Sequence, residues 1–265
     1  MAPSVETTIN LKQYPLSEKG FRADCQRTLD SDGVLVISDF LQPSTIASMQ
    51  SEGKANQHLA YYTAKRHNIY LISPDLNYPG SHPRNRTVAS SKGCITTDQI
   101  PADSALRTLY TATIFREFLC AVLGESNLYE YADALSSINL HYASAGQELG
   151  WHFDNSSFAV TLMIQRPESG GVFEYVTNVR DADSGDMNDS MSYELADKVL
   201  EGTAAAKTLA MDAGTLVLFR GRNALHRVTP VVGDRTRMLA VLAYNTEPGL
   251  ALSESARLTF FGRLE

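Results

Sequence analysis

Cysteine is scarce. The three in 265 residues, Cys25, Cys94 and Cys120, are odd in number, far apart and without a Cys-x-x-Cys pair, which excludes both a disulfide framework and a zinc ribbon. They read as free thiols, and a reducing, cytoplasmic setting is expected. No apolar run reaches the roughly 18 residues of a membrane span. The opening Met-Ala-Pro-Ser-Val-Glu-Thr-Thr lacks the basic region and apolar stretch of an export signal. Positive charge is also in deficit. A formal net charge of −7 and a pI near 5.4 leave no basic footprint to repay counterion release from a polyanion. Neither a nucleic acid nor a membrane is expected as partner, which leaves a small-molecule substrate, with homo-oligomerisation open. Internal repeats and low-complexity tracts are absent, and tryptophan occurs once, at Trp151.

What is present is ordinary for a globular protein: 43% hydrophobic residues, 20% charged and 17 glycines. The length suits one domain spanning 1–265. Residues 1–18 read as a polar tail, 18–29 as a short helix, 33–37 as a β-branched strand and 43–61 as a second helix. Prolines and glycines punctuate 66–100, which reads as a long irregular segment and a candidate substrate lid. Helical spacing of Leu106, Leu109, Tyr110, Ile114, Phe118 and Val122 predicts a helix over 104–123, stopped by Gly124. From 136 onward the texture changes to short strands separated by glycine-containing turns, the pattern of an antiparallel sandwich or barrel. Strands are expected at 138–142, 158–165, 171–176, 215–219, 225–229 and 238–244. An acidic excursion over 178–201 has a helical latter half, 192–200, and its stretch 181–189 reads as a solvated acidic loop.

His152 and Asp154 are two residues apart, so in an extended strand both leave the same face and can bind one ion. Alone, such a pair is weak evidence, because polar strand ends often contain one by chance. His226, 74 residues later at the end of another expected strand, supplies a second imidazole. Two imidazoles and one carboxylate leave coordination positions open, the arrangement of non-haem iron(II) oxygenases. Nine and eleven residues beyond His226 stand Arg235 and Arg237, expected on one face of a following strand. A planar, permanently charged fork suits bidentate capture of a carboxylate, here the distal carboxylate of a 2-oxoglutarate whose other end chelates the metal. Each residue alone has a plainer account as a core or surface group. Their combination does not.

With these residues in hand, 136–247 resembles the double-stranded β-helix core of the iron(II)/2-oxoglutarate dioxygenases. The resemblance lies in Trp-His-Phe-Asp (151–154), Gly-Gly-Val-Phe (170–173) and His226-x3-Pro230-x2-Gly233-x-Arg235. Ser-His-Pro-Arg (81–84), Phe-Ala-Val-Thr-Leu (158–162), Leu-Val-Leu-Phe-Arg-Gly-Arg (216–222) and Phe-Gly-Arg (261–263) are similar to a narrower group, the free-amino-acid radical halogenases and their hydroxylase relatives. The resemblance implies a mainly β fold with flanking helices around a jelly-roll, cupin-like core. Helical support and the candidate lid would occupy 1–135, and a C-terminal segment 248–265. It also implies iron(II) as cofactor, 2-oxoglutarate and O2 as co-substrates, and Arg235, which fits the Gly-x-Arg pattern, as the first choice of anchor, with Arg237 as a neighbour that orients or substitutes.

Halogenases of this group carry a small residue in place of the carboxylate ligand, freeing a position for chloride. This chain keeps Asp154, so hydroxylation of a small free amino acid or a similar metabolite is expected. Desaturation and cyclisation begin with the same hydrogen abstraction and stay open. So do another substrate and a cupin-like metal-binding protein without turnover. A zwitterionic substrate needs a cation for its carboxylate and an acceptor for its ammonium. The candidates are Arg84, Glu130 and Asn155. Trp151 is expected to pack beside the metal strand.

Overall fold

Period-2 alternation in the second half of the chain builds a sheet with two different faces. A computed structural model describes residues 3–182 and 190–265. Its strands are β1 (Val34–Ile37), β2 (Tyr61–Asn68), β3 (Thr87–Ile95), β4 (Ile138–Ala143), β5 (Leu149–His152), β6 (Ala159–Gln165), β7 (Ser169–Gly170), β8 (Phe173–Val176), β9 (Lys207–Leu209), β10 (Leu216–Phe219), β11 (Leu225–Val228), β12 (Val231–Val232) and β13 (Arg237–Leu242). The helices are α1 (Val5–Thr8), α2 (Lys19–Asp32), α3 (Pro43–Asn56), α4 (Ala105–Thr111), α5 (Thr113–Leu123), α6 (Ser190–Leu200) and α7 (Glu254–Phe261). Eleven strands form one antiparallel sheet in the order β1-β10-β6-β13-β4-β3-β5-β11-β8-β9, with β2 paired to β3. The sheet curls into the open jelly roll expected for the fold class, with β7 and β12 as a separate small pair.

On one face Leu140 and Tyr142 of β4, Leu162 and Ile164 of β6, and Met238 and Ala240 of β13 are buried against α2–α5. The helices answer with Leu29, Met49, Phe115 and Phe118, which bury almost completely. Each such side chain removed from water contributes on the order of 2 kcal/mol. The residues alternating with them in β4, β6, β10 and β13 face the interior of the curl. There they line a cavity instead of a core.

Several expectations change. The segment read as irregular over 66–100 contains the longest strand pair of the molecule, β2 with β3, in register from Tyr61–Cys94 to Asn68–Thr87. Most of β2 is solvent-facing, so it needs no apolar alternation and gave none to read. The expected helix 43–61 accordingly ends at Asn56 and passes through a short 3₁₀ turn before β2 begins. Only 69–86 is irregular, and Asn85 ties it down by bonding the backbone of Asp75 and Tyr78.

The single helix expected over 104–123 is two. Ala112 is extended (φ −65°, ψ 121°) and caps both α4 and α5, letting each bury its own apolar stripe. Gly124 ends α5 as expected, in the left-handed conformation that glycine adopts freely. The supposed polar tail docks through Ile9 and Leu16, both fully buried. The N-terminal half is more than helical support, because β1, β2 and β3 are strands of the main sheet. In the strand expected over 171–176, pairing to β11 starts only at Phe173. Of the acidic excursion, 183–189 lies outside the described residues, and α6 accounts for its helical end. Among the described residues no helix is long and apolar enough to cross a membrane.

Candidate active site

β5 and β11 pair so that His152 stands directly opposite His226, with ring centroids 4.2 Å apart. Asp154 follows β5, and its amide donates to Gly221 O at 3.1 Å, which turns the chain so that its carboxylate joins the imidazoles. Oδ1 lies 3.5 Å from Nε2 of His226 and 4.0 Å from Nε2 of His152. One ligand atom from each of the three residues falls within 4.8 Å of the others. The Nδ1 atoms lie 2.8 Å from Gly150 O and 3.0 Å from Ala224 O. These contacts assign the proton to Nδ1 in each ring, leaving both Nε2 lone pairs aimed at the common centre. Gly221 is where the backbone comes too close for a side chain: a Cβ there would collide with the Asp154 carboxylate.

The electrostatics suit a cation. Burial, reinforced by the neighbouring His226, pushes His152 down to about 3, so its ring is a ready neutral ligand. Burial also opposes charge on His226, but the Asp154 carboxylate beside it outweighs that and raises it. Asp154 pays a burial penalty of its own. The two histidines nevertheless hold it below the usual carboxylate range. Two nitrogens and one oxygen converging in a buried pocket fit a divalent transition ion with open positions.

The ligands open into a cavity of about 270 Å³ inside the curl, walled by apolar groups such as Phe173, Val217, Phe219 and Leu239. Arg237 reaches in from the start of β13. It is 4% exposed, burial pulls it down to about 10, and its Nε and Nη2 are buried without a hydrogen-bond partner. Arg235 does not share its face. It sits in the turn before β13, exposed, and donates to Pro167 O at 3.0 Å. The same-face expectation fails because the strand begins only at Arg237: of the two, Arg237 lines the cavity and Arg235 does not.

The substrate candidates disperse. Arg84 lies outside the cavity lining, over the Tyr70 ring at 5.3 Å, with Nη1 buried and unpartnered. Glu130 is exposed near Tyr110 and Tyr244, on the helix-packed side of the sheet, and cannot reach the cavity. Asn155 is exposed just after Asp154 and does not line the cavity. Trp151 is buried in the metal strand with Arg227 over its ring at 4.7 Å.

Four residues at or beside the site escaped the sequence. Arg180 stacks on Phe153 at 4.1 Å and bonds the Asp154 carbonyl at 3.2 Å. Phe260 of α7 lines the cavity from the C-terminal segment. Lys92 and His141 lie on its floor. Only His141 left a trace, as the one basic residue in the apolar stretch 138–142.

The curled fold is shared with solved oxygenases. A Burkholderia pseudomallei oxidoreductase of the 2OG-Fe(II) oxygenase family superposes with a TM-score of 0.53 at 15% identity, covering 88% of this chain and 94% of its own. The non-heme alpha ketoglutarate dependent carbocyclase SnoK from nogalamycin biosynthesis gives 0.59 at 14% identity, covering 89% and 90%. The epimerase SnoN, solved with Fe3+, alpha ketoglutarate and nogalamycin RO, gives 0.56 at 12% identity, covering 86% and 84%. No curated protein sequence matches the chain. Residues 17–258, however, match the pattern of Halogenase D. With its jelly roll and its His-Asp-His centre, the chain belongs to the halogenase D family within the 2-oxoglutarate/iron(II) oxygenases, and iron(II) and 2-oxoglutarate are its cofactor and co-substrate.

Proposed function

We propose that the protein hydroxylates an unactivated C–H bond of a small substrate, a free amino acid or a similar metabolite. The observation that carries this is Asp154, whose carboxylate completes the ligand set in a family whose name-giving activity is halogenation. Asp154 would hold the position that a halide would need at the metal. His152, Asp154 and His226 hold iron(II), which with 2-oxoglutarate and oxygen supplies the oxidising power. Arg237 takes the distal carboxylate of 2-oxoglutarate, because it lines the same cavity and its Nε and Nη2 find no partner in the protein. The apolar walls keep water from the reacting centre, and Phe260, on the cavity wall, stands where a substrate would meet it.

The test has two parts. Anaerobic addition of iron(II) and 2-oxoglutarate should produce the weak visible charge-transfer band of the chelate. Turnover with a panel of amino acids in the presence of chloride should then give succinate and a product heavier by one oxygen. A chlorinated product would overturn hydroxylation, and a product lighter by two hydrogens would replace it with desaturation or ring closure. Absence of substrate-stimulated succinate from iron-loaded protein across the panel would remove the amino-acid reading.

A further inference from the structure

Iron ligation and a single arginine leave part of the cavity floor unused. Lys92 of β3 points into the cavity, its Nζ 2.9 Å from Nε2 and 3.1 Å from Nδ1 of His141 on β4. Burial drives His141 well below the ordinary histidine range, and Lys92 and then Arg237 add to the effect. With Nζ close to both nitrogens at once, the ammonium lies over the face of a neutral ring, which holds the lysine in place. Arg237 pairs with Ala143 across β13 and β4, and Lys92 lies one step beyond the Gly93–Tyr142 pair of β3 and β4. Lys92, Ala143 and Arg237 thus form one row over three strands. Ala143, on the same face as His141 by alternation, puts only a methyl group between the two basic side chains.

The cavity holds no anion to match them. Among the described residues Asp154 is its one lining carboxylate, and that group is engaged with the two imidazoles. Buried basic groups facing an apolar space without a counter-charge are costly, and a bound anion offsets the cost. A carboxylate has about four lone-pair sites, enough to accept from a guanidinium and an ammonium together.

We propose that Lys92 is a second anchor for 2-oxoglutarate, gripping its distal carboxylate opposite Arg237, with His141 as the positioning residue that holds Lys92 in reach. This rests on the cavity being the 2-oxoglutarate site. It gives the chain a clamp with two basic groups where one arginine would suffice for binding, and so predicts strong selection for 2-oxo diacids over 2-oxo monoacids.

The experiment is an anaerobic titration of iron(II)-loaded protein, followed by the chelate band. It uses 2-oxoglutarate and 2-oxopentanoate, which has the same chain length but no distal carboxylate, the latter to millimolar concentrations. Lys92→Met should weaken 2-oxoglutarate by about tenfold or more, the loss of one charge-assisted hydrogen bond. It should leave 2-oxopentanoate within about twofold, because that ligand lacks the group Lys92 holds. Lys92→Arg should recover most of the lost affinity. Should the methionine variant not fold, Lys92→Gln, which keeps a donor for His141, serves in its place. Equal weakening of both ligands would put Lys92 at the chelating end, and unchanged binding of both would assign it to the substrate; either result overturns the clamp. If the unmodified protein binds no 2-oxoglutarate, the proposed function itself fails. If Arg237→Ala weakens binding and Lys92→Met does not, only the clamp fails.

Discussion

The two faces of β13 differ as much as any two regions of the molecule. Met238, Ala240 and Leu242 pack against the helices, whereas Arg237, Leu239 and Val241 look into the cavity. Adjacent residues on one strand therefore answer to opposite demands. The helix face maximises burial and leaves nothing polar behind. The cavity face leaves guanidinium nitrogens buried and unpaired, a cost that a stability optimum would remove. A ligand that completes such a group would account for its persistence.

That contrast can be broken at several points. Asp154→Ala should lower substrate-driven succinate formation by at least about 100-fold, since it removes a metal ligand outright, where loss of a group that merely orients a ligand costs about 10–100-fold. Normal turnover in this variant would remove Asp154 from the ligand set. On the other face, Phe118→Ala should cost about 3–5 kcal/mol by chemical denaturation while leaving 2-oxoglutarate affinity of the folded protein unchanged. A change in affinity would mean that the two faces are coupled through the sheet.

Arg237→Met is the sharpest probe of the trade between them. It should weaken 2-oxoglutarate by about 10–100-fold, yet raise the melting temperature of the metal-free protein by removing a buried unpaired guanidinium. Arg235→Ala should alter 2-oxoglutarate binding by less than about twofold, because an exposed arginine bonded to one carbonyl contributes little. A reversal of these two would restore Arg235 as anchor.

The contrast also has a pH dependence. Asp154 raises His226, whereas His152 is already neutral, so iron must displace a proton from His226 alone. Iron affinity should decline by at most about tenfold per pH unit as pH falls through the raised His226 value, with one proton released per ion bound. Release of two protons, measured in weakly buffered solution, would contradict the neutral His152.

The legible part of the site was the part with a short local signature. His152 and Asp154 share a strand face at a spacing of two, and His226 precedes a basic pair, so ligand types and spacing were visible without coordinates. Arg237 and Arg235 were visible as a pair but not in order, because their relative direction depends on which residue begins the strand, a boundary set by the turn at Gly233. Lys92 was hidden for a different reason. Its partner strand β2 faces water and carries no hydrophobic period, so the whole hairpin read as loop and the direction of Lys92 had no meaning. Glu130 was chosen by residue type alone, and only the sheet's two-sidedness places it behind the wall. Ile9 and Leu16 were isolated apolar residues in polar surroundings, too sparse to reveal that the N-terminus docks.

Gly221 has a consequence of its own. Because a side chain there would overlap the Asp154 carboxylate, the third ligand can be seated only beside a residue that has none. Shortening it is another matter. With Asp154 replaced by glycine, the facing position would still carry no side chain able to swing into the gap, and the main chain on both sides is pinned by the Asp154–Gly221 hydrogen bond. The hollow would not heal by local repacking. It would persist beside the two imidazoles as a place for a single small anion, held open by a neighbour without a side chain.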